Sequence, residues 1–134
     1  MGWLANIFGN HGGPEAIFDP VDDAKFATIL AADEKPVMLF LWGDACPYCR
    51  KMVPNVKNVL ARHHETVIGV HANASEVPGI AQALNLRGVP ATVFFRHGRL
   101  VELVTGFQPE AVLDRVIETR FGAEPSPNVP ARQD

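Results

Sequence analysis

Leu41-Trp42-Gly43-Asp44-Ala45-Cys46-Pro47-Tyr48-Cys49-Arg50-Lys51 contains the only two cysteines of a 134-residue chain, spaced C-x-x-C. The apolar run Val37-Met38-Leu39-Phe40-Leu41-Trp42 stops just before them, and a helical pattern starts at Cys46. A C-x-x-C at a strand-to-helix junction points to redox chemistry. The thiolate is the reactive form of cysteine, and the partial positive charge of a helix N-terminus stabilises it. The second thiol then lies one turn inside the helix, close enough to close a small disulfide ring. Cys46 and Cys49 are therefore the candidate catalytic pair.

The surroundings read outward from that pair. Val37–Trp42 has the continuous apolar character of a strand covered on both faces. The helix after it should run from near Cys46 to about His63, with Met52, Val53, Val56, Val59, Leu60 and His63 on one face. Pro54 lies inside that pattern, and the apolar period stays in phase across it, so a kink is expected there rather than a break at Val53.

Towards the N-terminus, Ala16-Ile17-Phe18 reads as a short edge strand. Asp22 or Asp23 caps a helix reaching about Ala32, with Phe26, Ile29 and Leu30 inward. Towards the C-terminus, Thr66–His71 reads as a strand, and Ser75 caps a helix that has Pro78 in its first turn and reaches about Asn85. Ala91–Phe95 and Leu100–Val104 form a hairpin about His97-Gly98. Gly106 breaks the second of these strands, and Pro109 opens a last helix with Val112, Leu113, Val116 and Ile117 inward, ending near Phe121-Gly122. The order β-α-β-α-β-α-β-β-α implies an α/β domain: a mixed central sheet, parallel where helices separate the strands, closed by an antiparallel hairpin, with helices on both faces.

Composition narrows the function. Net charge is −3 with acidic and basic residues mixed, so no basic stripe suggests nucleic acid and no polybasic segment suggests an anionic membrane. No apolar run approaches the ~20 residues of a transmembrane helix. Two cysteines are too few for a secreted disulfide framework. No basic n-region precedes a long apolar stretch, so the sequence predicts a cytoplasmic location, with a periplasmic one as the alternative should an export signal precede Met1. Residues 1–14, interrupted by Gly9, Gly12, Gly13 and Pro14, read as an arm whose Trp3 and Phe8 either pack on the domain, the preferred reading, or contact a partner or membrane. Residues 15–122 read as one domain. Residues 123–134, with Pro125, Pro127 and Pro130, read as a disordered tail.

Phe26, Trp42, Cys46-x-x-Cys49, Pro54, Pro78-Gly79, Arg87-Gly88-Val89-Pro90, the Phe95-to-Gly98 turn and Gly106 together resemble the thioredoxin family over roughly residues 16–121. The resemblance implies the thioredoxin fold and a thiol–disulfide oxidoreductase acting on disulfide-containing protein substrates. It implies a monomer that needs no metal or organic cofactor beyond the Cys46–Cys49 disulfide, reduced by a flavin-dependent disulfide reductase. It also implies that Pro90 is cis and faces the cysteines, that Trp42 shields the loop, and that Pro47 and Tyr48 tune the pair. Ala45, Tyr48, Ala74, Gly88, Val89, Gly106 and Phe107 match positions bordering the family's substrate groove. There the Val89 backbone would pair with a substrate strand by β-augmentation.

Two departures stand out. The Pro47-Tyr48 dipeptide makes a Cys-Pro-Tyr-Cys motif, which is similar to that of glutaredoxins, where thioredoxins usually carry Gly-Pro. The expected potential is therefore less reducing than the roughly −270 mV of thioredoxin, towards the roughly −200 to −230 mV of glutaredoxins. A second glycine-rich element of the glutaredoxin kind, which would hold glutathione, is not evident. Phe40 and His71 stand where thioredoxins carry a buried aspartate and its lysine partner. Phenylalanine accepts no proton, so either water deprotonates Cys49 or His71 reaches it through water; a buried neutral histidine with a structural hydrogen bond is the other reading of His71. Asp44 is expected to cap or solvate the loop.

Rival functions remain open on the sequence. A disulfide oxidase or isomerase in an oxidising compartment is one, although the oxidising periplasmic relatives carry a helical insertion for which this chain has no room. Iron–sulfur cluster binding by a dimer through Cys46 of each chain is another, and the missing glutathione element counts against it. Two cysteines cannot furnish a four-cysteine zinc site, and His63-His64 lack zinc-finger spacing. An interaction module with incidental cysteines is the last, and two intact cysteines at a helix start argue against it.

Overall fold

The computed structural model describes residues 18–122. The expected arm, the Ala16-Ile17 part of the first strand and the proline-rich tail lie outside the described residues. Five strands and four helices follow in the order β1 (Phe18–Pro20), α1 (Asp23–Ala32), β2 (Val37–Trp42), α2 (Pro47–His63), β3 (Ile68–Asn73), α3 (Pro78–Ala83), β4 (Ala91–Arg96), β5 (Arg99–Thr105) and α4 (Glu110–Phe121). The sheet order is β1-β3-β2-β4-β5. This is the thioredoxin fold, a mixed sheet with a C-terminal antiparallel hairpin and helices on both faces.

Strand β2 lies at the centre, and all six of its residues are buried. Its side chains alternate between the two faces. Met38, Phe40 and Trp42 join Cys49, Met52, Val53, Val56, Leu60, Leu113 and Ile117 under α2 and α4. Val37, Leu39 and Leu41 join Phe26, Val77, Ile80, Val93 and Phe95 under α1 and α3. Helix α2 runs unbroken through Pro54, which sits on its exposed side.

The structure departs from the expected parallel arrangement at β4. This strand pairs with β2 antiparallel, Phe40 opposite Thr92, although helices separate the two in sequence. The chain passes from β3 through α3 on one face and enters the sheet on the far side of β2, running back. Strand β3 starts two residues later than expected. The Thr66 and Val67 N–H groups both bond to His63 O at the end of α2, and Ile68 N–H is the first to reach across, to Pro36 O. The strand then extends through Ala72 and Asn73, which pair with Leu41 and Trp42.

The helix expected from Ser75 is also different. Asn73, not Ser75, supplies the cap: its Oδ1 accepts from the Ser75 N–H at 3.0 Å and starts a 3₁₀ turn, Ala74–Glu76. Helix α3 follows separately and stops at Ala83. Asn85 adopts φ 52°, its N–H bonds Gln82 O, and the Leu86 N–H bonds Ala81 O, which closes the helix with a Schellman motif. His63, expected inward, is half-buried and lies 2.9 Å from Asp114 Oδ1 on α4. Arg62 reaches Asp114 and Glu110 at 2.8 and 2.9 Å. These contacts pin α4 to α2 at the surface, where water screens each ion pair and leaves it a minor contributor to stability.

Candidate active site

Cys46 is the N-cap of α2 and Pro47 its first residue. Proline suits that position because its missing N–H would have no helical partner there. Cys46 and Cys49 form a disulfide with Cα atoms 5.2 Å apart. Cys46 Sγ accepts the Cys49 N–H at 3.2 Å. This is the cap interaction of a helix start made with sulfur, and it would serve a thiolate better than a neutral sulfur. No acidic side chain lies in the first turn of α2 to oppose a negative charge, and Lys51 is exposed one turn on. The two sulfurs differ in access: Cys46 is half-buried, whereas Cys49 is fully buried.

The loop into the helix is shaped by Ala45, which adopts φ 53° and is exposed. Gly43 is not singled out by the sequence, yet a Cβ there would lie 3.0 Å from Val89 Cγ2. Its only sequence signal is a glycine directly after the strand. Asn73 also escapes the sequence reading; besides capping the 3₁₀ turn it donates from Nδ2 to Asp44 Oδ1 at 3.4 Å, tying the loop to the end of β3.

The Val89–Pro90 peptide bond is cis, and Val89 O lies 3.9 Å from Cys46 Sγ. Pro90 O accepts the Gly106 N–H at 2.8 Å, with Gly106 at φ 79°. Gln108 is fixed at both ends, its O accepting from Asn55 Nδ2 at 2.9 Å and its Nε2 donating to Thr105 O at 3.0 Å. These bonds hold Phe107 on a rigid shelf, 42% exposed, facing Tyr48, which is 60% exposed. The two rings sit 6.4 Å apart beside the disulfide, with Lys51 Nζ 5.8 Å from the Tyr48 ring. Gly88 is exposed one residue before Val89, and Ala74 is half-buried at the head of the 3₁₀ turn. Neither is hydrogen-bonded to the disulfide.

Below the site, Trp42 Nε1 donates to His71 Nδ1 at 3.2 Å. His71 is buried, and its ring lies 4.6 Å from that of Phe18. Burial pushes its pKa from 6.5 down to about 4, in keeping with an Nδ1 that must stay unprotonated to accept from Trp42. An unfolded chain would protonate this histidine near pH 6.5, while the folded chain resists until about pH 4. Its contribution to stability is therefore complete above pH 6.5 and is lost as pH falls through that window, by up to roughly 3 kcal/mol. Denaturation of wild type and His71→Gln at about pH 7.5 and about pH 4.5 checks this. The wild type should lose more stability than the variant between the two; equal losses would contradict it.

Among the described residues, no group of three or more His, Cys, Asp or Glu side chains is placed to hold a metal ion, and no helix is long and apolar enough to cross a membrane. The site is thus a disulfide at a helix start with one accessible sulfur, a facing backbone carbonyl and an aromatic rim.

Comparison with known proteins agrees with this geometry. A family model described as Thioredoxin matches residues 18–119. A chloroplastic M-type thioredoxin of Spinacia oleracea is 33% identical over 99 residues, covering 73% of this chain and 54% of that protein, so the chain spans about half the length of that relative. A thioredoxin of Synechocystis sp. is 30% identical over 98 residues, covering 73% of this chain and 92% of that protein. Among solved structures, a mutant thioredoxin from Halobacterium salinarum NRC-1 superposes with a TM-score of 0.73 at 25% identity, covering 87% of this chain and all of that one.

Proposed function

The chain belongs to the thioredoxin family, and from that membership we propose that it reduces protein disulfides by dithiol exchange through Cys46 and Cys49. The observation that carries the proposal is the difference in access between two sulfurs at one helix start: Cys46 half-buried at the N-cap, Cys49 sealed beneath it.

In the reduced protein the Cys46 thiolate attacks one sulfur of a substrate disulfide. A mixed disulfide forms, and the other substrate sulfur leaves as a thiolate that takes up a proton. Cys49, deprotonated, then attacks Cys46 Sγ. The Cys46–Cys49 bond forms, the bond to substrate breaks, and the second substrate thiolate is released. Two electrons pass from the protein dithiol to the substrate. The helix N-terminus stabilises the attacking Cys46 thiolate, and burial keeps Cys49 from competing for substrate.

Substrate docks as an extended segment on the Val89 backbone next to Cys46. Tyr48 and Phe107 supply the apolar rim of the groove, with Ala45, Ala74, Gly88 and Gly106 lining it at small cost in space. Trp42, held by His71, supports the loop from below. The Pro47-Tyr48 dipeptide sets a potential less reducing than that of an ordinary thioredoxin. A flavin-dependent reductase in the cytoplasm is the electron source that fits a reducing role.

Turnover of insulin disulfides by dithiothreitol tests the proposal. Catalytic amounts of the protein should bring forward the precipitation of insulin chains. Precipitation no faster than with dithiothreitol alone would refute it.

A further inference from the structure

Among the described residues, four large apolar side chains stand exposed: Leu100 and Leu103 on β5, and Tyr48 and Phe107 beside the disulfide. The last two form a pair, with ring centroids 6.4 Å apart and planes inclined at 49°. Aromatic pairs attract at centroid separations of about 4.5–7 Å. At the wide end of that range the rings touch without closing over each other, and both keep open surface. The backbone on either side of Phe107 is fixed. Gly106 N–H is bonded to Pro90 O, and Gln108 is bonded to Asn55 and Thr105. Tyr48 lies in the first turn of α2, two residues after Cys46. The two rings therefore make a preformed apolar notch at the edge of the reactive sulfur.

The notch has a positive border. Lys51 Nζ stands 5.8 Å from the centre of the Tyr48 ring, within the range of a cation–π contact. Arg50 is exposed next to it in the helix. Helix α2 contains no aspartate or glutamate along its 17 residues. Asp44, the acidic residue of the loop before it, is held towards β3 by Asn73 Nδ2 at 3.4 Å. Exposed rings with an ammonium at their edge suit a flat apolar side chain that has a carboxylate beside it. Glutathione would bring carboxylates but no large apolar group, and would leave the rings unused. An extended strand advances about 3.3 Å per residue. A notch that starts two residues from Cys46 is thus within side-chain reach of substrate residues one or two places from the reacting cysteine.

We propose that Tyr48, Phe107 and Lys51 select the substrate: a protein disulfide whose reacting cysteine has an aromatic residue within two positions and an acidic residue next to that one. This rests on the dithiol reading above and leaves its chemistry unchanged. The substrate ring lies against both rings of the notch and removes three apolar surfaces from water. The fixed backbone around Phe107 keeps the ordering cost of that contact low. The substrate carboxylate faces Lys51 and Arg50 at the surface, where the attraction weakens as salt rises. Leucine in the same place gains the buried area without the ring contact, and serine gains neither. The selection acts at the first attack, when the Cys46 thiolate meets the substrate sulfur.

The test is single-turnover reduction of symmetric peptide disulfides by the reduced protein, quenched with acid and followed by mass spectrometry. Each peptide carries serine around its cysteine, except for one position that is phenylalanine, leucine or serine in turn and a neighbour that is glutamate or lysine. Rates are divided by those with dithiothreitol, which removes differences in intrinsic reactivity. At the best position phenylalanine should react about tenfold faster than serine, with leucine between them. Glutamate should react about threefold faster than lysine at low salt, and the two should converge at about 1 M salt. Phe107→Ser should cut the phenylalanine-to-serine ratio to about twofold, and Lys51→Glu should reverse the preference for glutamate. Both changes are at the surface, and circular dichroism checks that the variants fold. The wild-type series needs no variant: equal rates for phenylalanine, leucine and serine at every position would overturn the proposal. So would a phenylalanine preference that folded Phe107→Ser retains, or a serine peptide linked to glutathione reacting faster than every phenylalanine peptide. Intact insulin reduction beside a flat peptide series would sink the selectivity alone, and failed insulin reduction would sink the reductase reading.

Discussion

Replacing Cys46 with serine is expected to abolish catalysed insulin reduction, leaving only the rate of dithiothreitol. The expectation follows from access. Cys49 is the other sulfur, and it is fully buried within the first turn of α2, so a protein disulfide cannot approach it in line. Serine at the N-cap still accepts the Cys49 N–H, as hydroxyls commonly do at helix starts. The variant should therefore fold, and its unfolding midpoint should stay close to that of the reduced wild type. Retention of more than a trace of catalysed turnover in Cys46→Ser would mean that Cys49 meets substrate directly, and the assignment of roles would fail.

The largest effect on stability is expected at Phe40. This residue is fully buried at the middle of the central strand, on the α2 side, with the Phe18 ring 6.4 Å away. Phe40→Ala removes most of a large side chain between His71 and Thr92, and neither neighbour can swing in without breaking its strand position. Large-to-small changes of this kind cost about 3–5 kcal/mol. That is a large part of the 5–15 kcal/mol, roughly, that holds a domain together. Chemical denaturation of the oxidised protein should show a much lower midpoint with an unchanged denaturant slope. A loss below about 1 kcal/mol would show that the core closes over the site and that the packing around Phe40 is loose.

The parts of the fold legible in the sequence are those whose signal is local. Val37–Trp42 reads as a doubly covered strand because all its residues are apolar, and α2 reads as a helix because its apolar residues keep helical phase across Pro54. The start of β3 is not legible because Thr66 and Val67 are strand-forming types whose N–H groups instead close the preceding helix. Asn73 is a turn-forming type that the register with Trp42 holds in the strand. The direction of β4 depends on which side of β2 the chain enters after α3, and no residue pattern within β4 encodes that. Its antiparallel pairing is a tertiary fact.

The site divides in the same way. The two cysteines and the Gly88-Val89-Pro90 segment are legible as motifs, and the structure brings them together. The Trp42–His71 hydrogen bond joins residues 29 apart and becomes visible only in register. The Tyr48–Phe107 pairing needs the Gly106–Pro90 bond to set the shelf. Gly43 matters for what it leaves room for, which is Val89.

The central claim is that Cys46 meets the substrate and Cys49 releases it. Its most direct test is Cys49→Ser, reduced and then mixed with a disulfide-bearing peptide. The first exchange can proceed and the second cannot, so a covalent adduct should accumulate. Mass spectrometry of its proteolytic fragments should place the substrate sulfur on Cys46, and the Cys46→Ser variant treated alike should form no comparable adduct. An adduct that forms as readily on Cys49 in Cys46→Ser, or no adduct in Cys49→Ser, would contradict the account.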